Sequence, residues 1–334
     1  MSLLTDVNDI FFHKKIYNVL KKMSNDMAIP HIIFYGPCGS GKRTMVSTFL
    51  KMIYGENVNT LFSASYDISG SGNKVKKEIV KNSNHHIIIN PTNTNFDKYL
   101  VHEIIKGYAS SKSSDLIKNP DSKFKTVQIS NLEKLSHSAQ TSLRRMIEVN
   151  SSFCRFIMWC ENLSNVIEPL KSRCVCIRVS RPTFEELFTY LFHITIINKI
   201  SMYIKTITDI IHFSECNITT ALLCVETFRL KCVYRTNRCL AIDELTNLIV
   251  KCQINKIDKI RDMFYNMWIT YYEGIDIVKY ILKEIIKLKI PEICKAKIIL
   301  KTSVIEYDMV RSRRQIMGFD NFVISVMKII YMYS

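Results

Sequence analysis

No CxxC pair stands among the eleven cysteines of this chain, and that absence removes the ligand spacing of the common zinc sites. Cys174 and Cys176 lie two apart, on one face of an expected strand, a placement suited to packing in a core. The scattered thiols read as reduced, as in a cytosolic or nuclear protein. The chain also has no apolar run approaching the ~18 residues of a membrane span. Its opening, MSLLTDVND, lacks the basic start and small-residue cleavage site of a secretory signal. A soluble intracellular protein is expected, with no membrane partner and no metal. Internal repeats and long linkers are missing too.

Acidic residues are in deficit. Thirty Asp and Glu face 46 Lys and Arg, a net charge of +16, which draws a protein to polyanions and most often to nucleic acid. A solvated lysine coat on an isoleucine- and lysine-rich chain is the alternative. With 47% apolar and 23% charged residues the composition is globular. A length of 334 residues suits two or three domains.

What is present begins with Gly36-Pro37-Cys38-Gly39-Ser40-Gly41-Lys42. The apolar run Ile32–Tyr35 precedes it and a helix-compatible stretch follows from Arg43. Strand, Gly-rich turn and helix N-terminus together let backbone N–H groups close on phosphates while the lysine reaches the outer ones. The Ser or Thr that normally follows this lysine and holds Mg²⁺ is replaced by Arg43, with Thr44 one place late.

Five apolar runs read as strands: Ile32–Tyr35, His86–Ile89, Lys125–Ile129, Arg155–Trp159 and Val175–Val179. Helical patterns between them imply a mostly parallel sheet covered on both faces. Ser136–Glu148 shows the helix period, with Ala139, Leu143, Met146 and Ile147 inward and Arg144 and Arg145 off that face. Residues 64–82 read as a hairpin or mobile loop, and 110–122 as a surface insertion. Strands stop at Arg181-Pro182. From Thr183 the pattern is helical, with Glu185 and Glu186 in a first turn and Leu187, Tyr190 and Leu191 inward. Residues 240–334 form an all-helical block. There Ile275, Val278, Ile281, Leu282, Ile285 and Ile286 make an inward stripe, opposite a solvated lysine row at Lys279, Lys283 and Lys287.

The stretch from Phe124 to Cys174, FKTVQISNLEKLSHSAQTSLRRMIEVNSSFCRFIMWCENLSNVIEPLKSRC, resembles the small subunits of replication factor C, the eukaryotic clamp loader. Pro30–Thr44 resembles that family's first nucleotide motif. The opening MSLL, the GKRT of Gly41–Thr44 and IINPTNTN at Ile88–Asn95 are similar to one subunit type, the non-hydrolysing small subunit at the end of the pentameric ring. The resemblance implies an AAA+ domain over 1–181 (a parallel five-stranded sheet with a phosphate loop), a helical lid over 182–239 and an all-helical collar over 240–334. It implies ATP or ADP as cofactor. Implied partners are the other subunits of a hetero-pentamer, a sliding clamp and primer–template DNA. The place of action implied is a nucleus, or a viral replication factory in the cytoplasm.

Hydrolysing relatives end the third strand in Asp-Glu-Ala-Asp, whose first Asp organises the metal and whose Glu polarises the attacking water. The matching positions here are Ser130, Asn131, Leu132 and Glu133. The sensor asparagine of the fourth strand falls at Glu161 or Asn162. The arginine expected from the lid is replaced by Asn217-Ile218-Thr219-Thr220, and the adenine-side Tyr-Arg-Pro segment is missing. The retained loop beside altered hydrolytic groups favours a nucleotide held as a structural cofactor. Arg173, the arginine of Ser172-Arg173-Cys174, matches the finger that relatives place in the adjacent subunit's site. Lys106 matches a family lysine that faces the duplex, and Arg144 and Arg145 are the next candidates for DNA or for coupling to a neighbour. Two other readings stay open: an active ATPase using Glu133 and Thr44, and a nucleotide-free scaffold for DNA or clamp.

Overall fold

The computed structural model describes residues 12–25, 29–55, 58, 60–69, 75–83, 85–91, 101–105, 107–108, 124–230, 237–252, 254–270, 274–312 and 315–333. Lys106, the insertion 110–122 and Thr92–Asn95 lie outside them. Contacts divide the chain into two units, residues 1–230 and 231–334.

The first unit is built on seven strands: β1 (Ile32–Tyr35), β2 (Phe62–Ser69), β3 (Val75–Asn82), β4 (His86–Ile89), β5 (Lys125–Ile129), β6 (Cys154–Cys160) and β7 (Val175–Arg178). Their order is β2-β3-β4-β5-β6-β1-β7. The five expected strands form the parallel part, with Ile32 opposite both Ile157 and Val175. The expected hairpin is a true pair of strands, antiparallel to each other and, through β3, to β4. The sheet is therefore larger than expected and mixed.

Strand period places alternate residues on opposite faces. Ile33, Val127, Ile129, Phe156 and Met158 face one cluster, which helix α3 (His137–Val149) completes with Ala139, Leu143, Met146 and Ile147. Ile32, Phe34, Ile157 and Trp159 face the other. There α1 (Lys14–Asn25) contributes Leu20, and α2 (Lys42–Tyr54) contributes Met45, Val46, Phe49 and Leu50. A serine N-cap starts α3: Ser136 Oγ accepts from Ala139 N at 3.3 Å, as helix N-termini require. β7 is an edge strand, and Cys176 on it is exposed while Cys174 precedes it half-buried. Cys174 packs against the core as expected, whereas Cys176 does not, because it lies on the edge strand of the sheet.

A short helix, α4 (Glu168–Lys171), leads to β7. Three helices follow: α5 (Phe184–Ile197), α6 (Ile204–Ser214) and α7 (Ile218–Arg229). Thr183 and Glu186 close a reciprocal capping box at the start of α5, which buries Leu187, Tyr190 and Leu191 as its pattern predicts.

The second unit comprises α8 (Asn237–Val250), α9 (Ile257–Ile269), α10 (Gly274–Lys287), α11 (Glu292–Arg311) and α12 (Gln315–Tyr333) around a separate core with Phe264, Phe319 and Phe322 at its centre. Of the six residues expected in the α10 stripe, Val278, Ile281 and Ile285 are buried and Leu282 partly so. Ile277 is buried, Ile275 is only partly so, and Ile286 is exposed. The lysine row is compensated: Lys279 pairs with Glu306 at 2.7 Å and Lys287 with Glu284 at 2.6 Å. By length and composition α12 is apolar enough to cross a membrane, which no unbroken run had suggested. Asp320 and Lys328 interrupt it. Asp320 pairs with Arg261 at 2.9 Å, and Phe319, Phe322, Val323, Val326, Met327 and Ile330 pack into the unit's core.

Candidate nucleotide site and outward arginine

The loop Gly36–Gly41 leaves the C-terminal end of β1 and opens α2 at Lys42. Gly39 and Gly41 hold φ of +71° and +90°, left-handed values that favour glycine. Ser40 is fully buried and its Oγ has no partner among the described residues, while Cys38, Arg43 and Thr44 are exposed. Lys42 folds into the loop, and its Nζ donates to Gly36 O at 2.6 Å and Pro37 O at 2.8 Å. Burial lowers its ammonium pKa, against the opposing pull of Glu161, Cys38, Glu133 and Cys160. An unpartnered buried hydroxyl and a lysine bonded only to carbonyls fit an anion such as phosphate.

The hydrolytic positions fit worse. Ser130 ends β5 buried, and its hydroxyl donates to Ile89 O at 3.1 Å and to the Asn90 side chain. It is committed to β4 and has no charge to organise a metal. Asn131 takes a left-handed φ of 47°. Glu133 accepts from Glu161 N at 3.3 Å through Oε1, and its Oε2 is buried without a partner among the described residues. Asn162 is exposed. With Ser130 tied off and Arg43 in the Ser/Thr position, the donors for Mg²⁺ do not assemble.

Two segments remote in sequence contact the loop. α7 begins directly against it, with Ile218 N donating to Gly39 O at 3.0 Å. The Asn217 side chain, which caps α7 through Thr220 N at 3.2 Å, lies where a Gly39 Cβ would sit. From the other side His13 Nε2 lies 3.2 Å from Ser40 O. The first segment is the stretch matched above to the lid arginine; His13 is distant in sequence and no local pattern marks it.

Arg173 lies between α4 and β7. Its Nε donates to Glu148 Oε1 at 2.5 Å and its Nη1 to Pro169 O at 2.7 Å, with about a third of the side chain exposed. Arg144 Nε lies 3.8 Å from the same Glu148 oxygen. Glu148 thus gathers Arg144 and Arg173, two candidates assigned to different roles, whereas Arg145 points outward on the next row of α3. Val149 and Phe153, next to Glu148 along the chain, are among the most exposed apolar side chains of this unit. Behind them Gln140 is buried, donating to Leu135 O at 3.0 Å and Asn165 O at 3.2 Å and accepting from Ile167 N at 2.9 Å. It fixes α3 to the segment that carries Arg173.

The family model for the DNA polymerase III delta subunit matches residues 12–183. A protein of Thermotoga maritima related to the DNA polymerase III gamma subunit has the same fold, with a TM-score of 0.50 at 11% identity over 94% of this chain and 98% of that one. Sheet, phosphate loop and helical parts define a clamp-loader-type AAA+ protein. A replication factor C small subunit of Acanthamoeba polyphaga mimivirus is 36% identical over 96% of this chain and 88% of its own length. Replication factor C subunit 3 of Arabidopsis thaliana is 27% identical over 97% and 94%, and subunit 5 of Saccharomyces cerevisiae 28% over 93% and 91%. The chain belongs to the replication factor C small-subunit family.

Proposed function

We propose that the chain is the non-hydrolysing, end-of-ring small subunit of a clamp loader, holding ATP or ADP as a structural cofactor and lending Arg173 to the site of an adjacent subunit. The observation that carries the reading is Ser130, whose hydroxyl is spent on Ile89 and Asn90 where a metal-organising carboxylate would stand, beside a cradle that keeps its lysine and glycines. Within this reading 182–239 acts as the lid, in keeping with the contact of Asn217 and Ile218 on Gly39, and 240–334 joins sister subunits in a collar. Lys106 and Arg145 are assigned to the primer–template backbone, and Arg144 to the finger through their common carboxylate. The other ring subunits and a sliding clamp are the partners, in a nucleus or a viral replication factory.

The test is turnover. The isolated chain is expected to retain nucleotide through purification and to hydrolyse it at background rate. Arg173→Ala in the reconstituted complex should leave assembly intact and cut turnover at one site, by on the order of 10³-fold at that site, so that total turnover falls in part and clamp loading falls further. Lysine rescues poorly, lacking the planar fork. Clamp loading at the unsubstituted rate would leave the subunit a scaffold. Residual hydrolysis is favoured by one observation, the buried unpartnered Oε2 of Glu133. Single-chain turnover that disappears in Glu133→Gln would establish it.

A further inference from the structure

We propose that the outward face of α1 is a second nucleic-acid-binding surface, taking a phosphate backbone independently of the candidates Lys106 and Arg145. α1 reads KKIYNVLKKMSN and contains four lysines and no acidic residue. Leu20 and Ser24 turn inward, Ser24 donating to Met52 O of α2 at 3.1 Å. Lys14, Lys15, Lys21 and Lys22 are all exposed, as are Asn18 and Asn25. At 3.6 residues per turn, positions 14, 18, 21, 22 and 25 share an arc of about 100°, with Lys15 at its margin.

What marks this row is its density, four lysines in one 12-residue helix that carries no acidic residue. Lys171, Lys259, Lys279 and Lys287 each hold a carboxylate at 2.6–3.2 Å. None of the four α1 lysines forms an ion pair among the described residues. Four like charges on three turns repel one another, and within the helix no acidic residue stands three or four positions away to offset them. An anionic ligand relieves that repulsion, and the geometry favours a linear one. The two lysine pairs are two turns apart, ~10 Å along the axis at 1.5 Å per residue. A duplex strand presents a phosphate every ~3.4 Å of axis, so the row spans about three phosphates. The asparagine amides add neutral donors of the kind that contact phosphate oxygens. Val19 is the only large apolar side chain exposed on this helix, so the face offers charge without an apolar anchor for a protein partner. Its position also has a consequence for the nucleotide site: His13, immediately before α1, touches Ser40 of the phosphate loop, and a ligand on α1 bears on the segment that pins that loop.

The experiment uses the full chain with a fluorescent mixed-sequence duplex, reading affinity against salt. The quadruple variant Lys14→Gln, Lys15→Gln, Lys21→Gln, Lys22→Gln keeps helix propensity, and its unfolding curve checks the fold. Affinity should fall at least about tenfold at moderate salt. The slope of log affinity against log salt should become shallower by up to ~3.6, since each lost phosphate contact removes ~0.9. A four-lysine variant with unchanged affinity and slope overturns the proposal, as does a wild-type chain with no affinity for the duplex. Lys106→Ala, run in parallel, keeps the two faces distinguishable: weakening there alone leaves the primary face standing and removes α1. Loss of polyglutamate binding with duplex binding intact would assign α1 to an acidic protein and also overturn it.

Discussion

Glu148 holds Arg173 at 2.5 Å in the isolated chain, so a finger that serves a neighbour must first leave it. Both side chains are more than a third exposed, and such pairs are worth roughly 0–1 kcal/mol. Charge developing on a transferring phosphoryl group offers far more. On the proposed reading, Glu148 aims the guanidinium without trapping it. Glu148→Gln should keep assembly and change complex turnover less than about threefold, against the large loss in Arg173→Ala, and a variant as impaired as the arginine one would make Glu148 part of the catalytic arrangement. A second residue-scale prediction concerns pH. Burial pushes His86 down to about 4, aided by His85, and pushes His31 down to about 4, aided by Arg155. In the unfolded chain both titrate near 6.5. Between pH 6.5 and 4 the unfolded state binds protons that the folded state refuses, so stability falls as pH drops through that window. The loss is on the order of 1–3 kcal/mol for the more buried His86. Denaturant unfolding of His86→Gln against the parent checks it: the variant should show a flatter pH dependence, and identical slopes would remove His86 from the account. At this scale the phosphate loop was legible, because seven consecutive residues carry its chemistry. The exchange of the third-strand acidic residues for Ser130 and Asn131 was legible as well. The contacts of Glu148 with Arg173 and of His13 with Ser40 were not, since each spans at least 25 positions, and Asn217 was marked only through the resemblance, which matched its stretch to the lid arginine without giving its contact on Gly39.

Among the elements, the five parallel strands were readable to within a residue or so because each is a short apolar run between polar breaks. β2 and β3 were harder. Their sequences are rich in Ser and Lys, and they pair with each other and, through β3, with β4, which no local propensity reports. The stripe of α10 shifted because Ile277 turns into the core while Ile286, which fits the period, stays more than a third exposed. The contact of α7 on the phosphate loop is the element-scale feature with the clearest consequence. A Cβ on Gly39 would meet Asn217 Oδ1 at 1.8 Å and would sit at a φ of +71°. Gly39→Ala is then opposed twice, by strain in the loop and by displacement of α7. Loss of retained nucleotide and a lowered melting temperature are expected. Asn217→Ala added to it should recover part of the stability, relieving the clash but not the backbone strain, at a cost of ~1 kcal/mol for the lost cap. Full nucleotide retention in Gly39→Ala alone would show that α7 moves aside freely.

For the whole molecule the question is why the second unit leaves so much apolar surface uncovered. Its own core is complete, with Phe264, Phe319 and Phe322 fully buried, so the exposed residues are not needed to fold it. On α11, Ile293, Leu300, Val304 and Tyr307 are each more than half exposed, and their 7-4-3 spacing follows the seam that one helix offers another. Patches of this kind mark interaction surfaces, and fully burying each such side chain contributes ~1.5–3 kcal/mol. This is the face expected to meet sister subunits in a collar. Leu300→Glu with Val304→Glu places two carboxylates there while leaving the inward residues Ile298, Thr302 and Ile305 untouched. The substituted chain should keep its helical signal and its retained nucleotide, because loop and core are intact, yet fail to co-purify with the other subunits. Truncation after residue 239 should fail in the same way. Assembly at the wild-type yield in the doubly charged variant would move the interface off α11, and normal assembly of the truncated chain would remove the collar from this block altogether.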